Sequence, residues 1–206
     1  MATVFLDLDG TLIDPYLGIS TCFIHAMQSL GLPAPSPDGL QWLIGPALFD
    51  SFAKIGVHDP ELALRLYRER YCEVGLFEAE IYPGIPGALA ALKSAGHTLH
   101  LATAKPHIFA KRITAHFDLD QYLDHQFGPE MNGTRNDKGE LLAHALELLG
   151  ETAETCIMVG DRHHDYDAAR TVGMRSLAVR WGFGNKEEWC QADGLCEKPD
   201  RLAAMI

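Results

Sequence analysis

The sequence has 206 residues, of which 47% are hydrophobic and 22% are charged. A chain of this size can bury a substantial core and fits either one domain with an insertion or two small domains. Its formal net charge of -11 argues against nucleic acid as a partner, because polyanion binding needs clustered Lys and Arg.

Neither the apolar segments nor the cysteines indicate an exported or membrane-bound protein. No apolar run approaches the about 20 residues that span a bilayer, and no basic stretch followed by an apolar run opens the sequence. The five cysteines form no Cys-x-x-Cys pair, which argues against a disulfide framework and a four-thiolate zinc site. We therefore expect a cytoplasmic protein without a membrane partner.

The first predicted element is a buried strand over residues 3–8, an apolar run that ends in an Asp-Gly-Thr turn. Helical spacing of apolar residues then predicts helices over 17–30, 47–55 and 60–74, and no strand is evident from residue 14 to about residue 82. A proline-rich break over 31–39 separates the first helix from the others. The sequence thus predicts a helical block inserted after the first strand.

From Pro83-Gly84 onward, predicted helices and strands alternate. In chain order they are a helix to 95, a strand over 98–103, a helix over 106–117, a strand over 125–127, a helix over 138–149, a strand over 156–159, a helix over 165–172 and a strand over 176–181. This alternation predicts a Rossmann-like α/β core, a parallel sheet with helices on both faces. Ligands of such sheets bind beyond the carboxyl ends of the strands, which makes the residues just past each strand the candidate site.

Asp7 and Asp9 lie two residues apart at the end of the first predicted strand. On one strand their side chains would leave the same face, with Cα atoms about 6–7 Å apart, and would meet one ligand. Two buried like charges at this distance are costly unless a cation compensates them or one is protonated; a hard divalent ion is the usual solution, and Mg²⁺ fits best. Gly10 would let the backbone approach a phosphate closely, and Thr11 offers a hydroxyl there. An isolated Asp-Gly-Thr is usually a capped turn, but the second carboxylate favours the functional interpretation.

Two further segments carry candidate phosphate-binding groups. Thr103 closes a predicted strand just before a helix that starts near Pro106, and a hydroxyl beside free helix N–H groups suits a phosphate. On its own, such a threonine is more often explained by strand propensity or capping. Lys138 occupies the first position of a helix that Asp137 and Glu140 start with capping-box spacing. A cation there faces the positive end of the helix dipole, so we expect carboxylates to compensate it, although a lone lysine is most often solvated surface.

The last candidate segment follows the apolar run over 156–159. Asp161 is the natural third oxygen ligand for a cation at this edge of the sheet. Asp165 is expected to cap the next helix and to orient the site from outside the ligand set. His163 and His164 could suggest a transition-metal site, but adjacent residues at a helix start point in different directions, so we interpret them as surface positions.

Taken together, these segments resemble the four ordered motifs of the haloacid dehalogenase superfamily over nearly the whole chain. The matching positions are Asp7-Leu8-Asp9-Gly10-Thr11, Thr103, Lys138 and Gly160-Asp161-x-x-x-Asp165. The helical block resembles the class I cap of the branch that contains phosphoglycolate phosphatases, 5′-nucleotidases and β-phosphoglucomutase. The resemblance implies a catalytic core over 1–14 and 82–206 and a helical cap over 15–81.

The resemblance also implies a role for each site residue. Asp7 would attack the phosphoryl group and form an aspartyl-phosphate, and Asp9 would act first as acid and then as base. Mg²⁺ would be bound by Asp7, the Asp9 carbonyl and Asp161. The positions that would hold the phosphoryl oxygens are Gly10, Thr11, Thr103, Ala104 and Lys138.

The resemblance implies hydrolysis of a small phosphorylated metabolite. Dehalogenases of the superfamily lack a carboxylate at the position of Asp9, so its presence here favours phosphate-ester hydrolysis. Phosphoryl transfer of the β-phosphoglucomutase type is the alternative within the family. A phospho-receiver domain is an alternative from another class, but receivers are shorter and lack a helical insertion. A non-catalytic ligand-binding member should have lost at least one core residue, and none is missing.

Substrate choice is expected to depend on the helical block. The candidate specificity residues are Tyr16, Gly45, Pro46, Phe49 and Lys54. Amphipathic helix packing explains Phe49 equally well, and solvation explains Lys54. Aromatic residues would suit a nucleotide base, whereas a cation would suit a small carboxylated substrate such as phosphoglycolate.

Overall fold

The central sheet of this computed structural model, which describes residues 1–45 and 48–206, contains six parallel strands among those residues. The strands are β1 (Thr3–Leu6), β4 (Thr98–Ala102), β5 (His125–Phe127), β6 (Cys156–Gly160), β7 (Arg175–Val179) and β8 (Gly194–Cys196). Their order is β5-β4-β1-β6-β7-β8, so β1 lies at the centre between β4 and β6. The predicted parallel α/β fold is confirmed.

The chain divides into two units, Met1–Ile13 with Ile81–Ile206 and Asp14–Glu80. It passes from one unit to the other at two short strands, β2 (Ile13–Asp14) and β3 (Glu80–Ile81), which pair with each other in a two-stranded sheet. The prediction of no strand from residue 14 to about residue 82 is therefore wrong, because β2 ends at Asp14 and β3 lies within that range. A two-residue strand is too short to produce a visible alternation of apolar and polar residues.

The smaller unit is helical, as predicted. Its α-helices within the described residues are α1 (Tyr16–Ser29), α2 (Leu48–Lys54) and α3 (Pro60–Arg70), and a π-helix over Tyr71–Gly75 continues α3. Ala47, the first residue predicted for the second helix, lies outside the described residues. Phe23 of α1 stacks on Phe52 of α2 with ring centroids 4.5 Å apart, and Trp42 meets Phe23 edge-on at 6.1 Å.

Glu78, in the last segment of this unit, is bonded to both α3 and the first helix. Arg70 donates to both carboxylate oxygens of Glu78, at 2.7 and 2.9 Å, and the Thr21 hydroxyl donates to the same carboxylate. The Gly18 N–H donates to the Glu78 carbonyl at 2.8 Å. The chain enters this unit just before α1 and leaves it just after Glu78. These bonds therefore hold the segment where the chain enters next to the segment where it leaves.

The larger unit surrounds its sheet with the remaining helices. They are α4 (Ile85–Ser94), α5 (His107–His116), α6 (Lys138–Leu149), α7 (His163–Val172) and α8 (Lys186–Trp189). The bounds of β5 and α6 are as predicted, whereas α7 begins two residues earlier because Arg162, and not Asp165, is its N-cap residue. Within the part of the chain that the structure describes, no helix is long and apolar enough to cross a membrane.

The core of the larger unit forms around β1, whose four residues are all buried. Phe5 at its centre stands opposite His100 of β4 and Met158 of β6. The same cluster includes Leu141 and Leu142 from the apolar face of α6. This packing holds the carboxyl ends of β4, β1 and β6 side by side and fixes the start of α6 against them.

His100 is a buried titratable group within this core, and it makes stability depend on pH. Its side chain is 2% exposed, and Nδ1 has no hydrogen-bond partner among the described residues. Burial, with His125 nearby, lowers the pKa of His100 to about 4. Folding therefore requires the neutral imidazole, whereas the unfolded chain binds a proton below the usual pKa of about 6.5. The contribution of His100 to stability is present above about pH 6.5 and is lost as the pH falls toward 4.

We predict that His100→Leu removes part of the acid sensitivity of folding. Between pH 7.5 and pH 5 the free energy of unfolding should fall by about 2 kcal/mol less in the variant than in the wild type. Denaturant unfolding at the two pH values measures the difference, with the exposed His25→Asn as the control that should behave as the wild type. An identical fall in His100→Leu and the wild type would contradict the prediction.

Candidate active site

Asp7 follows β1 directly and is buried in the larger unit. Its N–H donates to the Val159 carbonyl of β6 at 2.9 Å, so the chain is still held to the neighbouring strand there. Asp9, however, is not on the strand, because β1 ends at Leu6 and the chain turns, with the Leu12 N–H donating to the Leu8 carbonyl at 2.9 Å. The prediction that both carboxylates leave one strand is therefore wrong.

Lys138 joins Asp7 to a second carboxylate. Its ammonium donates to Asp7 Oδ1 at 2.7 Å and also to Asp165 Oδ1, and the lysine side chain is only 8% exposed. Asp137 caps α6 by accepting the Glu140 N–H at 2.9 Å, which places Lys138 in the first turn as the sequence indicated. Burial alone would lower the pKa of Lys138, but Asp165 and Asp7 outweigh it and hold the pKa above its usual value. The expected compensation by carboxylates is confirmed.

Asp161 follows β6 and is fully buried. Oδ2 accepts the Phe183 N–H at 2.7 Å, whereas Oδ1 has no hydrogen-bond partner among the residues described. Burial, with Asp165 and Asp7 as like-charged neighbours, raises the pKa of Asp161 well above its usual range. A carboxylate in this position requires either a proton or a further cation.

Asp165 lies closer to the other carboxylates than the sequence indicated. It is the third residue of α7, and its Oδ2 accepts the Arg162 N–H at 3.1 Å. Burial raises the pKa of Asp165 to about 6, although Lys138 opposes the rise. Oxygens of Asp7, Asp161 and Asp165 all lie within 4.8 Å of one another. The structure thus places Asp165 within the acidic cluster, where we had expected a position outside it.

The two threonines predicted to bind phosphate, Thr103 and Thr11, are both buried. Thr103 follows β4 and accepts the Lys105 N–H at 3.2 Å, and Ala104 between them is exposed. The Thr11 hydroxyl is buried with no hydrogen-bond partner in the described chain. Gly10 has φ of 84°, and a Cβ on it would overlap the Asp161 carboxylate, so the turn requires glycine.

Lys105 is a member of the site that sequence reasoning missed. Its ammonium lies 2.8 Å from Asp9 Oδ2, with the lysine side chain 6% exposed. Burial raises the pKa of Asp9 above its usual value, and Lys105 opposes the rise. Asp9 Oδ1 is buried without a partner among the described residues. The available signal was the position of Lys105 two residues past the strand end at Thr103, which we had examined for its hydroxyl alone.

The predicted specificity residues lie in the helical unit. The Tyr16 hydroxyl donates to the Pro37 carbonyl, and Lys54 lies with its ammonium 5.3 Å from the centre of the Trp42 ring. Phe49 is exposed on α2, as is Gly45 before it. Pro46 is outside the described residues. Tyr16 and Lys54 thus have partners within their own unit.

The acidic cluster has the chemistry of a magnesium site. Asp7, Asp161 and Asp165 offer carboxylate oxygens close enough to share one ion, and Lys138 is the cation that balances part of their charge. Among the described residues, Asp161 Oδ1 has no hydrogen-bond partner, which leaves it available to a cation. Hard divalent ions prefer oxygen ligands of this kind, so these residues fit Mg²⁺.

Comparison with known proteins gave one family match, several similar sequences and several similar structures. The family model described as haloacid dehalogenase-like hydrolase matches residues 4–179. A 5′-nucleotidase of Pseudomonas aeruginosa is 40% identical over 188 residues, which cover 90% of this chain and 85% of that protein. Tyrosine-protein kinase PtkA of Mycobacterium tuberculosis is 37% identical over 185 residues, which cover 89% of this chain and 64% of the kinase. The crystal structure of a predicted phosphatase from Clostridium acetobutylicum superposes with a TM-score of 0.92 at 31% identity, covering 100% of this chain and 98% of that one.

We predict that Asp161→Asn stabilises the protein when divalent cations are removed. Because the pKa of Asp161 is higher in the folded state than in the unfolded state, this residue lowers the stability of the fold at any pH above its unfolded pKa. The asparagine amide carries no charge, and its oxygen still accepts the Phe183 N–H. With EDTA at pH 7.5, the melting temperature should rise by at least about 2–4 °C, which corresponds to about 1 kcal/mol in a chain of this length. Thermal denaturation measures it, with the exposed Asp120→Asn as control. A lower melting temperature for Asp161→Asn would contradict the electrostatic account.

Proposed function

Since the chain belongs to the haloacid dehalogenase-like hydrolase family and is a phosphatase of that family, we propose that it hydrolyses phosphate monoesters through an aspartyl-phosphate on Asp7. One observation carries the proposal. Asp7 and Asp9 are close in sequence but have different lysine partners, Lys138 and Lys105 respectively. Two carboxylates with different environments suit two different chemical roles.

We propose Mg²⁺ as the cofactor, bound by the carboxylates of Asp7 and Asp161 and by the Asp9 carbonyl. Two observations support this assignment: Asp161 Oδ1 has no hydrogen-bond partner in the described part of the chain, and the pKa of Asp161 is raised. The ion would offset the negative charge that accumulates on the phosphoryl oxygens during transfer. Asp165, held by Lys138 and the Arg162 N–H, would orient the cluster.

In the first step, an Asp7 carboxylate oxygen attacks phosphorus in line with the leaving oxygen. The new Asp7 O–P bond forms as the ester O–P bond breaks, and Asp9 transfers its proton to the leaving alcohol oxygen. The raised pKa of Asp9 supports its role as the acid, since a carboxyl group must hold its proton to donate it. The products are a free alcohol, a phosphorylated Asp7 and an ionised Asp9.

In the second step, water attacks the phosphorus of the aspartyl-phosphate. Asp9, now ionised, accepts a proton from this water, and the Asp7 O–P bond breaks to release inorganic phosphate. Both residues return to their starting protonation states, so the cycle is balanced. Lys105, at 2.8 Å from Asp9, would hold that carboxylate in place throughout.

The phosphoryl oxygens need donors that are fixed before the substrate arrives. We propose the Lys138 ammonium, the Thr103 and Thr11 hydroxyls and the Ala104 N–H for this function. The Gly10 and Thr11 N–H groups already donate within the turn, to Ile13 and Leu8 carbonyls at 2.8 and 3.2 Å. Gly10 would therefore contribute through the close approach that its missing side chain allows.

The substrates of this phosphatase are small phosphorylated molecules, and the finer choice is a proposal. We place nucleoside 5′-monophosphates first, on the 40% identity to a protein named 5′-nucleotidase, and phosphoglycolate second. The roles inferred for the cap over 15–81 and for Tyr16, Gly45, Phe49 and Lys54 stay predictions. Transfer of the phosphoryl group to a second substrate, as in a mutase or a kinase, is the alternative outcome of the same aspartyl-phosphate.

The first test measures inorganic phosphate released from nucleoside 5′-monophosphates, phosphoglycolate and hexose phosphates in the presence of Mg²⁺. We predict turnover of at least one class, and a loss of at least about 1,000-fold in Asp7→Asn, equivalent to about 4 kcal/mol of transition-state stabilisation. Asp120→Asn on the surface is the control and should retain wild-type rates. Full activity in Asp7→Asn would refute the proposed nucleophile, and phosphate found only on an added acceptor would favour transfer over hydrolysis.

The second test concerns Lys105. Its charge opposes the rise in the pKa of Asp9, so Lys105→Met should raise that pKa further. Because the acid form of Asp9 is lost on the alkaline side, the alkaline limb of kcat/KM should move to higher pH, while kcat falls by about 10-fold or more.

Lys105→Arg preserves the positive charge and serves as the matched control for this test. It should keep the alkaline limb near that of the wild type. If the alkaline limb of Lys105→Met lies at the same pH as that of the wild type, Lys105 does not influence the pKa of Asp9 as proposed.

A further inference from the structure

Residues 181–189, which we term the C-terminal strap, pass over the turn that carries Asp161. A side chain at Gly182 would overlap the Gly10 carbonyl and the Asp161 Cβ, and one at Gly184 would overlap the Asp161 carbonyl. Between these glycines, the Phe183 N–H donates to Asp161 Oδ2 at 2.7 Å. The strap therefore lies in direct backbone contact with this residue.

Glu188 anchors the far end of the strap. Arg162 Nε and the His163 N–H both donate to Glu188 Oε2 at 2.9 Å. The His163 ring nitrogen Nδ1 lies 2.9 Å from the same oxygen, and Asn185 donates to Oε1 at 3.1 Å. With its side chain 12% exposed, Glu188 is an inward-facing carboxylate and not a solvated surface charge.

The two residues that Glu188 holds lie between two members of the acidic cluster. Arg162 and His163 follow Asp161 directly, and the Arg162 N–H donates to Asp165 Oδ2 at 3.1 Å. A change in the position of Arg162 therefore moves the Asp161 backbone and one hydrogen bond of Asp165 together. Glu188 itself contacts neither carboxylate through any bond described for it.

We propose that Glu188 is a positioning residue that aligns Asp161 and Asp165 for Mg²⁺ by anchoring Arg162 and His163. The inference rests on the proposed Mg²⁺-dependent function. A residue of this kind acts through the orientation of ligands, and loss of such a partner typically weakens metal affinity by about 10- to 100-fold. A purely structural ion pair would instead change the stability of the fold and leave the metal affinity of the folded protein unchanged.

The test measures Mg²⁺ binding by titration calorimetry without substrate, on wild type, Glu188→Ala, Glu188→Gln and Glu187→Gln. Glu187 is the exposed neighbour on α8 and is the matched control. We expect about 10- to 100-fold weaker binding in Glu188→Ala, a smaller loss in Glu188→Gln, and wild-type affinity in Glu187→Gln. In turnover, kcat of both Glu188 variants should recover at saturating Mg²⁺ while KM for the substrate stays unchanged.

Circular dichroism establishes which variants are folded, and if Glu188→Ala does not fold then Glu188→Gln decides. Wild-type Mg²⁺ affinity in a folded Glu188 variant would overturn the positioning role while leaving the proposed function intact. Absence of Mg²⁺ binding by the wild type itself would overturn both, so the two failures are distinguishable.

Discussion

The structure of the site depends on one electrostatic constraint, the burial of three carboxylates around a single lysine. Asp7, Asp161 and Asp165 lie together at the carboxyl edge of the sheet, and Lys138 contacts two of them. One ammonium cannot neutralise three carboxylates, and the pKa of Asp161 is raised by its burial and by the like charges of Asp165 and Asp7. The fold therefore tolerates an unfavourable charge arrangement at the place where a divalent cation would relieve it, as expected when a site is shaped for function at some expense of stability.

The surrounding backbone is arranged to bring these groups close. The central position of β1 sets Asp7 beside the ends of β4 and β6, and glycines allow two turns to pack against Asp161 without side chains between them. Hydrogen bonds from Phe183 to Asp161 and from Arg162 to Asp165 then limit how the carboxylates can turn. The second lysine, Lys105, pairs with Asp9. Separate partners are what allow neighbouring aspartates to differ in chemistry.

Much of this arrangement was predictable because the relevant patterns are long or chemically distinctive. Helix α6 combines an N-cap with a full apolar face, and its bounds were predicted without error. Strand β8 and helix α8 were not predicted; both follow the last predicted strand, and the four residues of α8 are too few to show helical periodicity. The placement of Asp9 on a strand was wrong because the turn begins before it, with the N–H groups of Thr11 and Leu12 donating to the Leu8 carbonyl. Lys105 and Glu188 were not predicted as site residues, because a single charged residue in a sequence is usually solvated at the surface.

The central claim is that Asp7 becomes phosphorylated during turnover. The most direct measurement quenches the enzyme with acid during steady turnover with Mg²⁺, reduces the trapped acyl phosphate with borohydride and locates the product by peptide mass spectrometry. Borohydride converts a phosphorylated aspartate to homoserine, so the account predicts homoserine at position 7 in samples with substrate and aspartate there in samples without it. Homoserine at another aspartate, or none at any position despite ongoing phosphate release, would contradict the account.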